Sequence, residues 1–97
     1  MKYLVTALPS RPMQRDQALA LYKAASEWVK ARLADGTLDF HYTFPGGGGI
    51  GIANVDSHEA LSDVIASYPL YAYMDWEVRP LSDWSHTYNT MIERLQQ

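Results

Sequence analysis

Tyr68 and Pro69 fix a point where a helix must end and a strand must follow. Proline has no N–H to give to a helix, and its ring biases the preceding residue away from helical angles. Ala60, Leu61, Val64, Ile65 and Tyr68 recur at helical spacing before that point. After it come Tyr71 and Tyr73, then Asp75, Glu77 and Arg79 alternating with Trp76 and Val78. A period of two is a strand with one charged face and one apolar face. The chain therefore passes from helix to strand through an aromatic corner.

The same punctuation divides the rest of the sequence. Tyr3 to Leu8 reads as a first strand, closed by Pro9, and Pro9-Ser10-Arg11-Pro12 is a turn. In this strand Tyr3, Val5 and Ala7 alternate with Leu4, Thr6 and Leu8, so both faces are largely apolar. A helix is predicted from Met13–Asp16 to Asp35, with Ala18, Leu21, Ala25, Val29 and Leu33 on its apolar stripe and Gly36 as C-terminal cap. Leu38–Phe44 and Ile50–Val55 are strands joined across Pro45 and Gly46–Gly49 as a hairpin. Strict alternation sends Leu38, Phe40, Tyr42 and Phe44 to one face and Asp39, His41 and Thr43 to the other. The four glycines are not a phosphate cradle, because no Lys-Ser/Thr pair follows and they lead into a strand. Asp56 is the expected cap of the second helix, with Glu59 as its capping-box partner.

With a last strand at Met74–Pro80, the order is β-α-β-β-α-β, a ferredoxin-like α+β motif with the sheet order 4-1-3-2. Such a sheet carries its helices on one face, and the other needs a cover. Residues 1–81 make up this domain, and residues 82–97 are an extension. There Trp84, Tyr88, Met91, Ile92 and Leu95 stand at helical spacing, which predicts an amphipathic helix that packs on a neighbouring subunit or across a pocket mouth.

Composition removes several functions. No cysteine is present, which excludes disulfides, thiolate zinc sites and thiol nucleophiles. A net charge of −3 argues against a nucleic-acid partner. No stretch approaches a membrane span, and the expected location is cytoplasmic. His41, His58 and His86 form no metal-type pair, so no metal site is expected.

His41, in mid-strand, is the candidate acid–base group, since imidazole has a proton affinity matched to neutral pH. His58 and His86 read as solvated. Glu77 and Arg79 are further catalytic candidates, or else a structural ion pair. Tyr22, Trp28, Tyr42, Tyr71, Tyr73 and Trp76 are expected to point between helices and sheet, as substrate-binding residues or as a plain aromatic core. Lys23 and Glu27 have the spacing of a surface pair.

The run Tyr-Pro-Leu-Tyr-Ala-Tyr-Met-Asp-Trp-Glu-Val at 68–78 resembles the same segment of the muconolactone isomerase family. The likeness extends back through Ser57, Glu59, Ala60 and Leu61, then more loosely through Gly36-Thr37 to the first strand. It implies a dimeric α+β barrel and a cofactor-free proton shift in an unsaturated lactone acid. The partners it implies are a small-molecule substrate and further copies of the chain, as a homodimer or higher homo-oligomer. The family's first-helix glutamate falls on Ala25, or on Ser26 if one residue is dropped, and neither is a base. Its basic residues in strand one are replaced by Leu4 and Val5. Two other readings stand beside the isomerase: a non-catalytic binding or assembly module, and a cofactor-free oxygenase or cyclase of the same barrel type.

Overall fold

The computed structural model describes residues 1–97. Its elements are β1 (Lys2–Pro9), α1 (Arg15–Ala34), β2 (Leu38–Thr43), β3 (Gly49–Asn54), α2 (His58–Ala66), a 3-10 turn (Tyr71–Tyr73), β4 (Met74–Leu81) and α3 (Trp84–Gln96). The strands form one antiparallel sheet in the order β2-β3-β1-β4. This is the ferredoxin-like arrangement, with α1 and α2 packed on the same face. Pro9 and Pro69 close β1 and α2 as their missing N–H groups require. Gly36, at φ 82°, takes the left-handed conformation that ends α1.

Helix α2 starts one residue later than its acidic signal suggests. Ser57, not Asp56, is the N-cap, and its hydroxyl accepts a 3.0 Å hydrogen bond from the Ala60 N–H. Either residue type caps well, so the exit path of the chain from β3 decides between them.

Strand β2 departs from strict alternation. Leu38 pairs with Ala53 and Phe40 with Ile52, so Asp39 is an extra residue, a β-bulge. One inserted residue reverses the parity of everything after it. Leu38 stays on the helix side, buried with Tyr3 and Ala53, while Phe40 and Tyr42 turn to the helix-free face. His41 and Thr43 then share the helix side with Leu38, where strict alternation separates them. The Asp39 carboxylate fixes the bulge: Lys2 Nζ lies 2.5 Å away and the Asn54 amide also donates to it. Asn54 Nδ2 further donates to the Gly36 carbonyl at 3.2 Å, tying the start of β2 to β3.

The register defines both faces of the sheet. On the helix side one row reads His41, Gly51, Val5, Val78 and the next Thr43, Gly49, Ala7, Trp76. The middle of each row is small. On the other side the rows are Phe40, Ile52, Leu4, Arg79 and Tyr42, Ile50, Thr6, Glu77. Their centre is apolar and their β4 edge charged.

The core is divided. Tyr3, Leu38, Ala53 and Leu61 form one buried cluster, and Ala25, Leu70 and Met74 form another. Helix α3 contributes no buried residue, and Leu95 on its apolar stripe is 81% exposed. Asp83 caps it, accepting from the His86 N–H at 3.3 Å.

Hydrogen bonds from Lys2 and then Asn54 hold the Asp39 carboxyl below its ordinary value of 3.8. A depressed folded-state pKa contributes stability that is present above the unfolded value and lost as pH falls through the folded one. Asp39→Asn is therefore expected to lower stability at pH 7 and to flatten its dependence below about pH 4. Urea denaturation of both proteins between pH 7 and pH 2.5 checks this, and parallel curves would remove the carboxylate from the account of the bulge.

Candidate functional site

The small residues at the centre of the helix-side rows leave room beneath α1 and α2. A cavity of about 340 Å³ opens there, between the two halves of the core. Its floor is Val5, Ala7, Gly49, Gly51 and Ala53. The hairpin turn borders it with Phe44, Pro45, Gly47 and Gly48, α1 covers it with Tyr22 and Trp28, and the segment after α2 adds Tyr68.

His41 lines this cavity. A Cβ on Gly49 would come 2.9 Å from His41 Cε1 and 2.7 Å from the Tyr42 carbonyl, and one on Gly51 would come 4.0 Å from His41 Nδ1. The imidazole thus lies against the bare backbone of β3. Two glycines give it space that any side chain would take. Gly48 is confined in another way, because its φ of 80° and the approach of β1 both oppose a side chain there. Among the histidines only His58 has a ring nitrogen in a hydrogen bond within the chain, to the Tyr3 hydroxyl. Both nitrogens of His41 are free of such partners.

One wall is aromatic. Tyr68 meets Trp28 edge-on at a centroid distance of 5.1 Å and Trp76 edge-on at 5.7 Å. Such pairs contribute beyond area burial, by about 0.5–1.5 kcal/mol each. The indole of Trp28 is satisfied by Ser67 Oγ at 3.0 Å and that of Trp76 by the Tyr71 carbonyl at 3.1 Å. Burial pushes the Tyr68 phenol above its ordinary 10.0, with Tyr22 adding to the rise. Tyr68 therefore stays protonated at neutral pH and can donate.

The structure brings together His41, Tyr22, Trp28 and Trp76 of the sequence-derived candidates. It separates the others from them. Tyr42 is 69% exposed on the helix-free face, turned there by the bulge. Tyr71 lies outside the cavity, stacked on Trp76 at 27° in the 3-10 turn, where strand alternation does not apply. Tyr73 ends that turn away from the cavity, and its carbonyl accepts from the Ser10 N–H at 2.9 Å. Glu77 and Arg79 pair with each other at 2.8 Å on the helix-free face, on the opposite side of the sheet from His41. Tyr68 and the floor glycines carry the site without having been singled out. The signal for Tyr68 was its helical spacing from Val64 and Ile65, directly before the proline stop, although α2 itself ends at Ala66. The glycines read only as a turn.

Lys30 pairs with Glu27 at 3.3 Å on the outer side of α1, so Lys23 is not the partner its spacing suggests. The position aligned with the family glutamate, Ala25, is buried against Leu70 and Met74, and Ser26 is exposed. Neither supplies a base.

Sheet order, helix placement and a helix-to-sheet cavity with one imidazole define a small α+β protein of the ferredoxin-like class. The chain belongs to the muconolactone delta-isomerase family, whose model matches residues 1–87. It is similar to the crystal structure of muconolactone isomerase, with 28% identity, a TM-score of 0.78, and coverage of 86% of this chain and 90% of that one. It shares its fold with a 5-chloro-2-hydroxyhydroquinone dehydrochlorinase from Burkholderia phenoliruptrix, solved with 2,5-dihydroxybenzoquinone, at 13% identity and a TM-score of 0.69, over 89% of this chain and 98% of that one. No curated protein sequence matches the chain. No helix is long and apolar enough to cross a membrane.

Gly49→Ala is expected to cost about 1–3 kcal/mol, the usual range for overpacking, because the Tyr42 carbonyl is held in the sheet and the imidazole must move. Gly46, with open space around it, should tolerate alanine within about 0.5 kcal/mol. Urea denaturation gives the two stabilities, and the imidazole proton resonances report whether His41 has shifted. An unmoved His41 in Gly49→Ala would mean the glycine floor does not set its position.

Proposed function

We propose that the protein is a cofactor-free isomerase that shifts a proton within an unsaturated, enolisable small molecule of the lactone type. The observation that carries this reading is the placement of His41, a lone acid–base group on the floor of an apolar cavity in a chain of this family. The neutral imidazole removes a proton from a carbon conjugated with the substrate carbonyl. The electron pair moves into a dienolate, with negative charge on oxygen. The imidazolium returns the same proton to the other end of the conjugated system, and no atom is gained or lost. Enolate oxygen needs a donor as charge develops. Tyr68, protonated and on the cavity wall, is the proposed donor. Glu77 and Arg79 lie on the wrong side of the sheet for either task within one chain, so their pair is assigned to the helix-free face.

That face suits self-association. Leu4, Ile50, Ile52 and Phe40 form its apolar centre, and the chain has no element of its own to cover it. We propose that a second copy does, giving a homodimer or larger assembly. The extension 82–97 is proposed to pack on a neighbouring subunit or over a cavity mouth, since its apolar stripe finds no partner in its own chain.

His41→Ala should lower turnover by about 10²–10⁴, the range for a positioned acid–base group, with the circular dichroism unchanged. Wild-type turnover in that variant would end the assignment. Removal of residues 82–97 should leave the far-ultraviolet spectrum of the sheet and first two helices in place while weakening assembly in light scattering or ligand binding. Outright unfolding of the truncated chain would show that the extension belongs to the fold itself.

A further inference from the structure

We infer that Tyr22 is a second donor to the substrate oxygen, so that two phenols on the helix side, Tyr22 and Tyr68, hold the developing enolate while His41 works from the sheet. The inference rests on the proton-shift reading, which gives that oxygen one donor, and adds a catalytic residue to it.

The lining has few side-chain donors. Besides His41 they are Tyr22, Trp28, Thr43, Tyr68 and Trp76. The two indoles are engaged within the chain, by Ser67 Oγ and by the Tyr71 carbonyl. Thr43 shares the floor with His41, two residues along β2. That leaves the hydroxyls of Tyr22 and Tyr68, both on the helix side of the sheet. Two observations bring them to one place. Tyr22 stands one turn before Ala25 on α1, and Ala25 is buried in the cluster against which Tyr68 packs. Burial, and then the Tyr22 phenol, push the Tyr68 pKa up, so the two phenols lie within electrostatic reach of each other.

The chemistry asks for such a pair. A carbonyl or enolate oxygen accepts hydrogen bonds close to the plane of its own substituents, through two lone pairs. A proton leaves the conjugated ring perpendicular to that plane. A base under the ring and donors at its edge therefore do not compete for space. One phenol serves one lone pair. A second matters most as charge develops, because a hydrogen bond to an ion is roughly twice as strong as one between neutral groups. Neutral acids in apolar surroundings suit this role, since they stay protonated at neutral pH.

The test uses the full chain with para-nitrophenol, at a pH where the ligand is ionised, and nitrobenzene as the control without the oxygen. The phenolate oxygen stands for that of the enolate, and calorimetry gives both affinities. Tyr22→Phe removes one oxygen from a half-exposed ring, and Tyr68→Phe keeps the ring that meets Trp28 and Trp76. Circular dichroism checks that both variants fold. Each should weaken para-nitrophenolate by about tenfold, the loss of one hydrogen bond to an anion. Nitrobenzene should stay within about twofold. The Tyr22 effect should persist on a His41→Ala background, because it does not depend on the base. Wild-type affinity for the phenolate in Tyr22→Phe would overturn the inference, as would a wild-type chain that does not bind the phenolate. Equal losses of both ligands would overturn it too, by showing that Tyr22 acts through packing. Proton NMR in deuterated water follows turnover separately, on an unsaturated γ-lactone. The tenfold loss without movement of the double bond in the wild type leaves the two-phenol site standing and removes the isomerase. Movement of the double bond, with neither readout changed by Tyr22→Phe, does the reverse.

Discussion

The carboxylate of Asp39, gripped by the Lys2 ammonium and the Asn54 amide, determines which side of the sheet holds His41. A bulge is a local defect in a ladder, and without an anchor a strand can slip to the regular register. Here three strands hold the anchor, because Lys2 is on β1, Asn54 on β3 and Asp39 on β2. Downstream of it every side chain of β2 is reversed. His41 enters the cavity and Tyr42 leaves it. The placing of His41 on the cavity face and of Tyr42 on the helix-free face follows from one extra residue.

The cavity has a cost in packing. Only 9 of 97 residues are buried, and the seven with side chains fall into two clusters where one continuous core is the norm. Filling the trough with valine or leucine at positions 49 and 51 would join the clusters, but the imidazole and the Phe40 and Tyr42 carbonyls occupy that space. The edge-on pairs of Tyr68 with Trp28 and Trp76 offset part of the loss. A cavity of this kind binds a ligand at the expense of the stability of the empty protein, and a bound ligand returns that stability.

The elements of the fold were legible because prolines and glycines mark their ends. Pro9, Gly36 and Pro69 each stop an element for a local steric reason, and such reasons can be read one residue at a time. Two features were not local. Asp56 and Ser57 are both good caps, and the choice between them rests on the path of the chain out of β3. Asp39 looks like any polar residue of an alternating strand, and its role appears only when Lys2 and Asn54 are brought to it from 37 and 15 residues away. The site followed the same division. His41 could be separated from Phe40 and Tyr42 by parity, but which of the two sets faced the helices depended on the bulge. Tyr71 and Tyr73 were expected to point between helices and sheet, but the corner that carries them is a 3-10 turn, whose period of three sets their directions instead.

Freedom of the His41 ring bears on how one base can serve two carbons. Most catalytic imidazoles are oriented by a carboxylate or carbonyl on the second nitrogen, which fixes the tautomer and raises basicity. His41 lacks such a partner within the chain, and its neighbours Gly49 and Gly51 present no side chain to restrain it. For a nucleophile's base that would be a defect, because direction matters there. A proton shift along a conjugated system asks for something else: the same proton must be taken at one carbon and delivered at another. In the proposed reaction a ring beside bare backbone would have to reach both carbons without a second base. An apolar lining would in that reaction limit exchange of the proton in transit with bulk water. The base of the proposed reaction stands on the sheet instead of on the first helix, and the bare backbone of Gly49 leaves the room beside it that a side chain there would take.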